Sequence, residues 1–324
     1  MKWFDIADYE KDLKAVSIII GGRGIGKTYS ALDYLIRNKI RFMYMRNTRT
    51  QIAESATDFG NPFKRLNKDK GYDIHIYPEK EHFNIVDGAR DNLNIGYACP
   101  LSIFENYRGA DLSDVDVVLF DEFIENRTLM FDQFKTFVNM RETVGRNREL
   151  LGEEPLYCLM LSNSQSLNNP ILVGYNLIPT IEGMIRTHQL KSKKKDILIL
   201  LPESEISELK KNTSTYSGLQ GTKIYKENLE NKFANDSFFG VQKRNVREYK
   251  PIYQIDDMFV YQHKSSGKFY VCSVQATNIP VYNSRDNALM FYQSFGRFLP
   301  MEYSRGFLEF SDFTTKSKFM SIIE

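Results

Sequence analysis

The stretch Ser17–Thr28 reads SIIIGGRGIGKT and joins an apolar run to a glycine-rich loop. Gly21, Gly26, Lys27 and Thr28 match the G-x-x-x-x-G-K-[ST] spacing of a phosphate-binding loop. In such a loop the backbone N–H groups surround a β-phosphate, the lysine reaches the β- and γ-phosphate oxygens and the hydroxyl binds Mg²⁺. The sequence therefore predicts that the chain binds a nucleoside triphosphate, with ATP and Mg²⁺ as the expected ligands.

The residues on both sides of the loop favour this interpretation over an accidental glycine-rich turn. A β-branched run precedes the loop and predicts a strand, and Lys27–Asn38 predicts a helix. The positive end of that helix would face the phosphates. We expect the ATP contacts to come from the loop and the residue after it: Gly21, Gly22, Arg23, Gly24, Ile25, Gly26, Lys27, Thr28 and Tyr29.

A second apolar stretch, Val115–Phe120 (VDVVLF), predicts a buried strand and ends in Asp121 and Glu122. An aspartate at such a strand end holds Mg²⁺, and an adjacent carboxylate can act as the general base for an attacking water. The alternative is an acidic helix N-terminus, where carboxylates are also favoured. We predict Thr28 and Asp121 as metal contacts, and Glu122 with Lys27 as catalytic residues.

The separation of the two motifs predicts the class of the sheet. Between Lys27 and Asp121 there is room for at least one complete strand, and Ile40–Met45 has the expected pattern. This insertion, together with Glu122, indicates the additional-strand, catalytic-glutamate class of P-loop ATPases. Its fold is α/β, with a RecA-like or terminase-like sheet and flanking helices.

The composition limits the partners and the compartment. The chain has 324 residues and a formal net charge of +2, so any nucleic-acid contact must be a local patch. Cys99, Cys158 and Cys272 have no metal-ligand spacing and indicate a reducing compartment. No apolar run is long enough for a membrane helix, and the N-terminus lacks the pattern of a signal peptide. We expect a soluble cytosolic protein with no membrane partner.

Changes in residue composition and in hydrophobic pattern along the chain predict two domains and a linker. An ATPase motor domain covers residues 1–185, a linker or connecting region covers 186–235, and a small α+β domain covers 236–324. The linker assignment depends on the basic segment RTHQLKSKKK at residues 186–195, which interrupts the regular spacing of apolar residues.

Other polar residues of the first part are candidates for the site. Asn163 follows the predicted strand Tyr157–Leu161 and has either a sensor role toward the γ-phosphate or the role of a turn residue. Arg146 and Arg148, in the run GRNRE, are candidates for an arginine finger inserted into a neighbour's site. The alternative for Arg146 is an ordinary helical ion pair with Glu142, four residues earlier.

Six segments in a fixed order resemble the genome-packaging ATPases of protein-primed, short-tailed bacteriophages: GGRGIGKTY, FMYMRNTR, CPLSIFENYRG, VVLFDEFIENR, ETVGRNRE and LMLSNSQSLNNP. The resemblance is close from residue 15 to about residue 178 and looser toward the C-terminus. It implies a homomeric ring, a pentamer in the family, that sits on the portal of an empty procapsid and pumps double-stranded DNA inward. It also implies a location in the host cytoplasm, with transient docking on the procapsid, and in some members a structural RNA.

The resemblance also implies roles for single residues. Lys27 and Thr28 become the Walker-A contacts, Asp121 the Mg²⁺ partner, Glu122 the catalytic base and Arg146 the finger that acts on the adjacent subunit. Arg46 is placed to sense the nucleotide. The DNA-binding candidates are Arg49, Arg108, Lys191, Lys193 and Lys194. Arg108 matches a position that acts between subunits, and the lysine run could equally be a solvated linker face.

The C-terminal part could be a reduced ribonuclease-H-like domain. Asp256 and Asp257 lie where one acid of a two-metal nuclease would be, but no further acids complete the set. We expect an inactive domain that binds nucleic acid or the portal. A DNA helicase, a conjugative DNA translocase and an ATPase that acts on proteins remain alternative functions.

Overall fold

A computed structural model describes residues 2–79, 82–107, 109–125, 129, 131–230, 233, 240–284 and 288–323. The chain divides into two compact units. The large unit contains residues 1–175 and 180–235, and the small unit contains residues 176–179 and 236–324. Among the described helices, none is long and apolar enough to cross a lipid bilayer.

In its described part, the large unit is built on a nine-stranded mixed sheet. The strands are β1 (Val16–Ile20), β2 (Phe42–Arg46), β3 (Ile74–Glu79), β4 (His82–Asp87), β5 (Leu93–Pro100), β6 (Val117–Asp121), β7 (Tyr157–Ser162), β8 (Lys191–Lys194) and β9 (Ile197–Leu200). Their spatial order is β3-β4-β5-β2-β6-β7-β1-β9-β8. The central pairings from β5 to β9 are parallel, and the pairings β3–β4, β4–β5 and β8–β9 are antiparallel.

Helices cover this sheet and account for its continuous apolar strands, because a parallel sheet is buried on both faces. The helices up to Leu229 are α1 (Lys27–Arg37), α2 (Arg49–Ser55), α3 (Lys64–Lys70), α4 (Gln133–Gly145), α5 (Pro170–Gly174), α6 (Ile178–Thr187), α7 (Glu205–Lys210) and α8 (Lys223–Leu229). The first two residues of α6 group with the small unit. Every residue of β1 is buried, and Leu32 and Leu35 of α1 belong to the same core cluster as Ile19.

The strand order brings three strand ends together at one edge. β7 lies between β1 and β6, so the ends of these strands at Ile20, Ser162 and Asp121 are neighbours. The Gly21 N–H donates to the carbonyl oxygen of Ser162 at 3.1 Å. A strand is therefore inserted between the P-loop strand and the strand of Asp121. It is not Ile40–Met45, because β2 pairs with the other side of β6.

The structure differs from the predicted linker over 186–235. Residues 180–235 group with the large unit, and β8 and β9 extend its sheet. The strand β9 is apolar because it pairs with β1 inside the core. The strand β8 forms the sheet edge, and lysines on an edge strand discourage pairing with another chain. The basic run is therefore an edge strand of the large sheet.

The small unit holds a five-stranded sheet in its described part, ordered β13-β10-β11-β12-β14. The strands are β10 (Tyr249–Ile255), β11 (Met258–His263), β12 (Phe269–Cys272), β13 (Val281–Tyr282) and β14 (Leu308–Phe310). The helices are α9 (Ala288–Phe291), which continues as a π-helical turn over Tyr292–Gly296, α10 (Leu299–Ser304) and α11 (Phe313–Ile323). The predicted α/β chain with a second, smaller domain is confirmed at this level.

The interior of the small unit contains an apolar cluster and a buried, paired carboxylate. Tyr253, Phe291, Phe310 and Phe319 are fully or almost fully buried in its main apolar cluster. The carboxylate of Glu309, on β14, is also buried; it accepts bonds from Arg244 at 2.7 and 2.9 Å and from Lys268 at 3.1 Å. Burial alone would raise the pKa of Glu309, but the two cations outweigh it and lower the pKa. This buried charge is therefore paired, as its desolvation requires.

Candidate active site

The P-loop of the structure connects β1 to α1 and borders a cavity of about 330 Å³. Of the predicted ATP contacts, seven line this cavity: Arg23, Gly24, Gly26, Lys27, Thr28, Tyr29 and Asn163. Gly24 and Gly26 have φ angles of 67° and 101°, a left-handed conformation that glycine adopts without steric cost. Ile25 is instead buried in the core, and its carbonyl accepts the Phe4 N–H at 3.1 Å.

Lys27 is folded onto the loop itself. Its buried Nζ donates to the carbonyl oxygens of Gly21 and Gly22 at 2.9 and 2.8 Å, and to Asn163 Oδ1 at 3.1 Å. Burial lowers the pKa of Lys27 to about 8, although Asp121 and Glu122 act in the opposite direction. The loop thus brings together the lysine and the candidate sensor, which lie far apart in the sequence.

Thr28 and Asp121 meet across the site. Thr28 Oγ1 donates to Asp121 Oδ1 at 3.0 Å, and the buried Tyr44 hydroxyl donates to Asp121 Oδ2 at 3.3 Å. Burial raises the pKa of Asp121, and Arg46 opposes that effect. A hydroxyl and a carboxylate oxygen side by side are hard oxygen ligands of the kind Mg²⁺ uses together with substrate phosphates, so the donor set fits this ion.

Glu122 follows β6 in a left-handed conformation, with φ 51°. A non-glycine residue held in this region carries backbone strain, and such strain is typical of functional sites. The Glu122 side chain is 52% exposed, lines the cavity and forms an ion pair with Arg46 Nη2. Arg46 also donates to the Tyr44 hydroxyl at 3.4 Å. Arg46 therefore contacts the predicted base, although it does not itself line the cavity.

A buried amide network supports this turn, and the sequence reasoning missed it. Asn47 Nδ2 donates to the Glu122 carbonyl at 3.2 Å, and Gln133 Nε2 donates to Asn47 Oδ1 and to the Phe123 carbonyl, both at 2.7 Å. Asn169 Nδ2 donates to Gln133 Oε1 at 2.8 Å. The three amides are buried. Asn47, Gln133 and Asn169 stand among other polar residues in the sequence, so no local pattern distinguished them.

A second missed residue is Lys210, at the end of α7. Its Nζ donates to the carbonyl oxygens of Arg23 and Gly24 at 2.7 and 3.1 Å. Burial and the nearby charge of Arg23 lower the pKa of Lys210. Because Lys210 lies 186 residues from Gly24 in the sequence, no local pattern predicted this contact.

Arg146 and Arg148 have different environments. Arg146 follows α4, has a side chain that is 49% exposed, and reaches the Ala110 carbonyl at 3.0 Å and Asp111 Oδ1 at 3.7 Å. Its link to Glu142 is a backbone bond, in which the Arg146 N–H donates to the Glu142 carbonyl at 2.8 Å. The Arg148 side chain is only 12% exposed and bonds the Ser113 carbonyl, with Asp116 at 3.9 Å. Arg146 is thus the more accessible cation.

The DNA-binding candidates are spread over the large unit. Arg49 is exposed at the first turn of α2. Lys191 Nζ lies 2.6 Å from Asp12 Oδ2, and Lys193 also bonds Asp12. These bonds lower the pKa of Asp12 to about 2. Lys194 is exposed on β8, and Arg108 lies outside the described residues.

The candidate nuclease acids of the small unit have structural partners. Asp256 Oδ1 accepts the Ser284 N–H at 2.9 Å, and Asp257 Oδ2 lies 2.8 Å from Lys318 Nζ. Over the described ranges of the chain, no group of three or more His, Cys, Asp or Glu side chains could hold a metal ion.

Comparison with known proteins gives consistent matches. The profile of the podovirus DNA encapsidation protein (Gp16) family matches residues 7–285. The DNA packaging proteins of Bacillus phage PZA and Bacillus phage phi29 are each 27% identical over 243 residues, which is 72% of this chain and 66% of their own length. The matched region therefore spans slightly less than two thirds of these relatives. The resemblance predicted from the ordered motifs is confirmed.

Solved structures extend the likeness of the fold to the whole chain. A chain of the bacteriophage phi-29 viral genome packaging motor assembly has a TM-score of 0.67 at 19% identity, over 99% of both chains. A chain of the phi-28 gp11 DNA packaging motor has a TM-score of 0.64 at 18% identity, over 99% of this chain and 98% of the other. At these identities the likeness concerns the fold.

Proposed function

Because the chain belongs to the podovirus DNA encapsidation protein (Gp16) family, we propose that it hydrolyses ATP to drive double-stranded DNA into an empty capsid. The observation that carries the proposal is the Thr28–Asp121 contact at 3.0 Å, beside Lys27 and Glu122. This arrangement belongs to the additional-strand, catalytic-glutamate class of P-loop ATPases, in which the attacking nucleophile is water.

The residues of the site divide the chemistry among them. The loop N–H groups and Lys27 bind the β- and γ-phosphates, and Thr28 and Asp121 hold Mg²⁺. When bound, the ion neutralises charge that develops on the phosphate oxygens. Glu122 accepts a proton from the attacking water. Arg46 holds the Glu122 carboxylate. Asn163 accepts a hydrogen bond from Lys27, and this position beside Lys27 supports a contact with the γ-phosphate.

The assembly that surrounds this site is also part of the proposal. We infer a homomeric ring, a pentamer as the family resemblance implies, in the host cytoplasm and docked transiently on the portal of the procapsid. Arg146 of one subunit completes the ATP site of the next, and its exposed side chain supports this role. We further propose that the small unit is a degenerate ribonuclease-H-like domain that binds nucleic acid, the portal or a structural RNA. The structural contacts of Asp256 and Asp257 support the absence of nuclease activity.

An ATPase assay with three nucleic acids tests this function. We expect double-stranded DNA to stimulate hydrolysis more than single-stranded DNA or RNA, with no separation of strands in a parallel unwinding assay. Strong unwinding would instead indicate a helicase. Stimulation by proteins without any response to DNA would indicate an ATPase that acts on proteins.

Arg49 is the residue we propose to face DNA, because it is exposed, whereas Lys191 and Lys193 are paired with Asp12. Arg49→Ala is expected to lower DNA-stimulated hydrolysis and to reduce the salt slope of DNA binding by about one per lost phosphate contact. Basal hydrolysis should stay at the wild-type level. The measurement is the ATPase rate against DNA concentration at several salt concentrations.

Lys68→Ala is the matched control for Arg49, because Lys68 is an exposed cation on α3. It should change neither the stimulated rate nor the slope. A loss of basal hydrolysis in Arg49→Ala would indicate that Arg49 acts at the nucleotide site and does not contact DNA.

A further inference from the structure

Two lysines bind the P-loop, each at a different pair of carbonyls. Lys27 binds the carbonyls of Gly21 and Gly22, and Lys210 binds those of Arg23 and Gly24. Lys27 lines the nucleotide cavity, whereas Lys210 is not among its lining residues. The carbonyl groups therefore point toward Lys27 at Gly21 and Gly22, and toward Lys210 at Arg23 and Gly24.

The geometry of the peptide bond gives this change a consequence. In a trans peptide the carbonyl of one residue and the N–H of the next point in opposite directions, and no peptide in the described chain is cis. The Gly22 carbonyl points toward Lys27, so the Arg23 N–H points away from it and donates to the Asn228 carbonyl at 3.1 Å. By the same rule, the carbonyls that Lys210 binds direct the N–H groups of Gly24 and Ile25 away from Lys210.

We propose that Lys210 is a positioning residue for the triphosphate, which holds the N–H groups of Gly24 and Ile25 toward the bound phosphates. The inference rests on the proposed function, since it requires that the loop binds ATP. Lys210 itself contacts backbone carbonyls and acts through the loop. Without it, these two peptide groups can rotate, and part of the phosphate-binding energy is used to reorient them.

The close approach of Lys210 to the loop supports this role. A Cβ atom added at Gly24 would lie 2.6 Å from Lys210 Nζ. The left-handed φ of 67° at Gly24 also excludes most other side chains. Glycine at this position therefore serves two purposes: it permits the turn and leaves room for the ammonium group.

The test compares Lys210→Met with Lys210→Arg. We expect Lys210→Met to raise the KM for ATP and the Kd for ADP about tenfold, which corresponds to about 1.4 kcal/mol, while kcat stays within about twofold. Lys210→Arg should restore most of the affinity, because a guanidinium also donates to carbonyl oxygens. Lys211→Met is the control, since Lys211 is the next residue and pairs with Glu208.

Each other outcome overturns the proposal in a recognisable way. An unchanged KM in Lys210→Met would show that Lys210 does not position the loop. An equal loss of nucleotide affinity in Lys210→Arg would show that the shape of the lysine side chain matters and not its hydrogen bonds. A fall in kcat alone would place Lys210 in the hydrolysis step. If Lys210→Met does not fold, Lys210→Ala removes both hydrogen bonds with a smaller side chain, and a wild-type KM for that variant overturns the proposal. Failure of the wild-type protein to bind ATP would instead contradict the proposed function.

Discussion

Glu122→Gln is expected to lower ATP hydrolysis by about 10²-fold or more, the effect of losing a positioned general base. ATP and Mg²⁺ binding should be retained, because the Lys27, Thr28 and Asp121 contacts do not involve the Glu122 carboxylate. The amide also keeps the shape of the side chain on the strained turn. Phosphate release in the steady state gives the rate, and equilibrium titration with ATP gives the affinity.

Two further variants make the Glu122 result specific. Glu54→Gln, on an exposed position of α2, should hydrolyse ATP at the wild-type rate. Lys27→Ala should weaken nucleotide binding itself, since we propose that Lys27 is the cation that reaches the phosphates. A wild-type rate in Glu122→Gln would show that another group activates the water.

If the proposed ring forms, Arg146→Ala is expected to reduce its hydrolysis rate by about 10³-fold, within the range found for arginine fingers. In the proposed mechanism the Arg146 guanidinium stabilises charge on the γ-phosphate in the transition state, so its loss should lower kcat more than affinity. Mixing provides the decisive measurement. An Arg146→Ala subunit has an intact Glu122, and a Glu122→Gln subunit has an intact Arg146, so one kind of interface in a mixed ring is complete.

Recovery of activity in the mixture therefore requires that Arg146 acts on the neighbouring subunit. A cis-acting arginine gives no recovery at any mixing ratio. Arg148→Ala is the matched control, because Arg148 is only 12% exposed and bonds the Ser113 carbonyl. This variant should lower the melting temperature of the large unit, whereas its hydrolysis rate should stay far above that of Arg146→Ala.

Local sequence patterns predicted which residues the structure brings together at the centre of the candidate site. The apolar run before Gly21, the spacing of Lys27 and Thr28, and the strand that ends in Asp121 depend on neighbours within a few residues. These features are short-range, and their chemistry is evident from residue type. The same applies to the separation of an α/β unit from a smaller C-terminal unit.

The supporting contacts could not be predicted in this way, because they join distant parts of the chain. Arg46 and Glu122 are 76 residues apart, and Gln133 and Asn47 are 86 residues apart. The pairing of β9 with β1 likewise depends on the fold of the whole large unit. A basic run beside an apolar strand has the composition of a linker, and only the sheet shows that it is an edge.

The bonds of Lys27 have a consequence for turnover. An ammonium has three N–H groups, and Lys27 has three acceptors: the carbonyls of Gly21 and Gly22, and Asn163 Oδ1. A phosphate oxygen that binds Lys27 must therefore displace at least one of them, and the displaced acceptor is available again when the product leaves. Product departure in the proposed cycle is thus an exchange of hydrogen-bond partners at a buried ammonium group, and Asn163 is one of the partners that can return to Lys27.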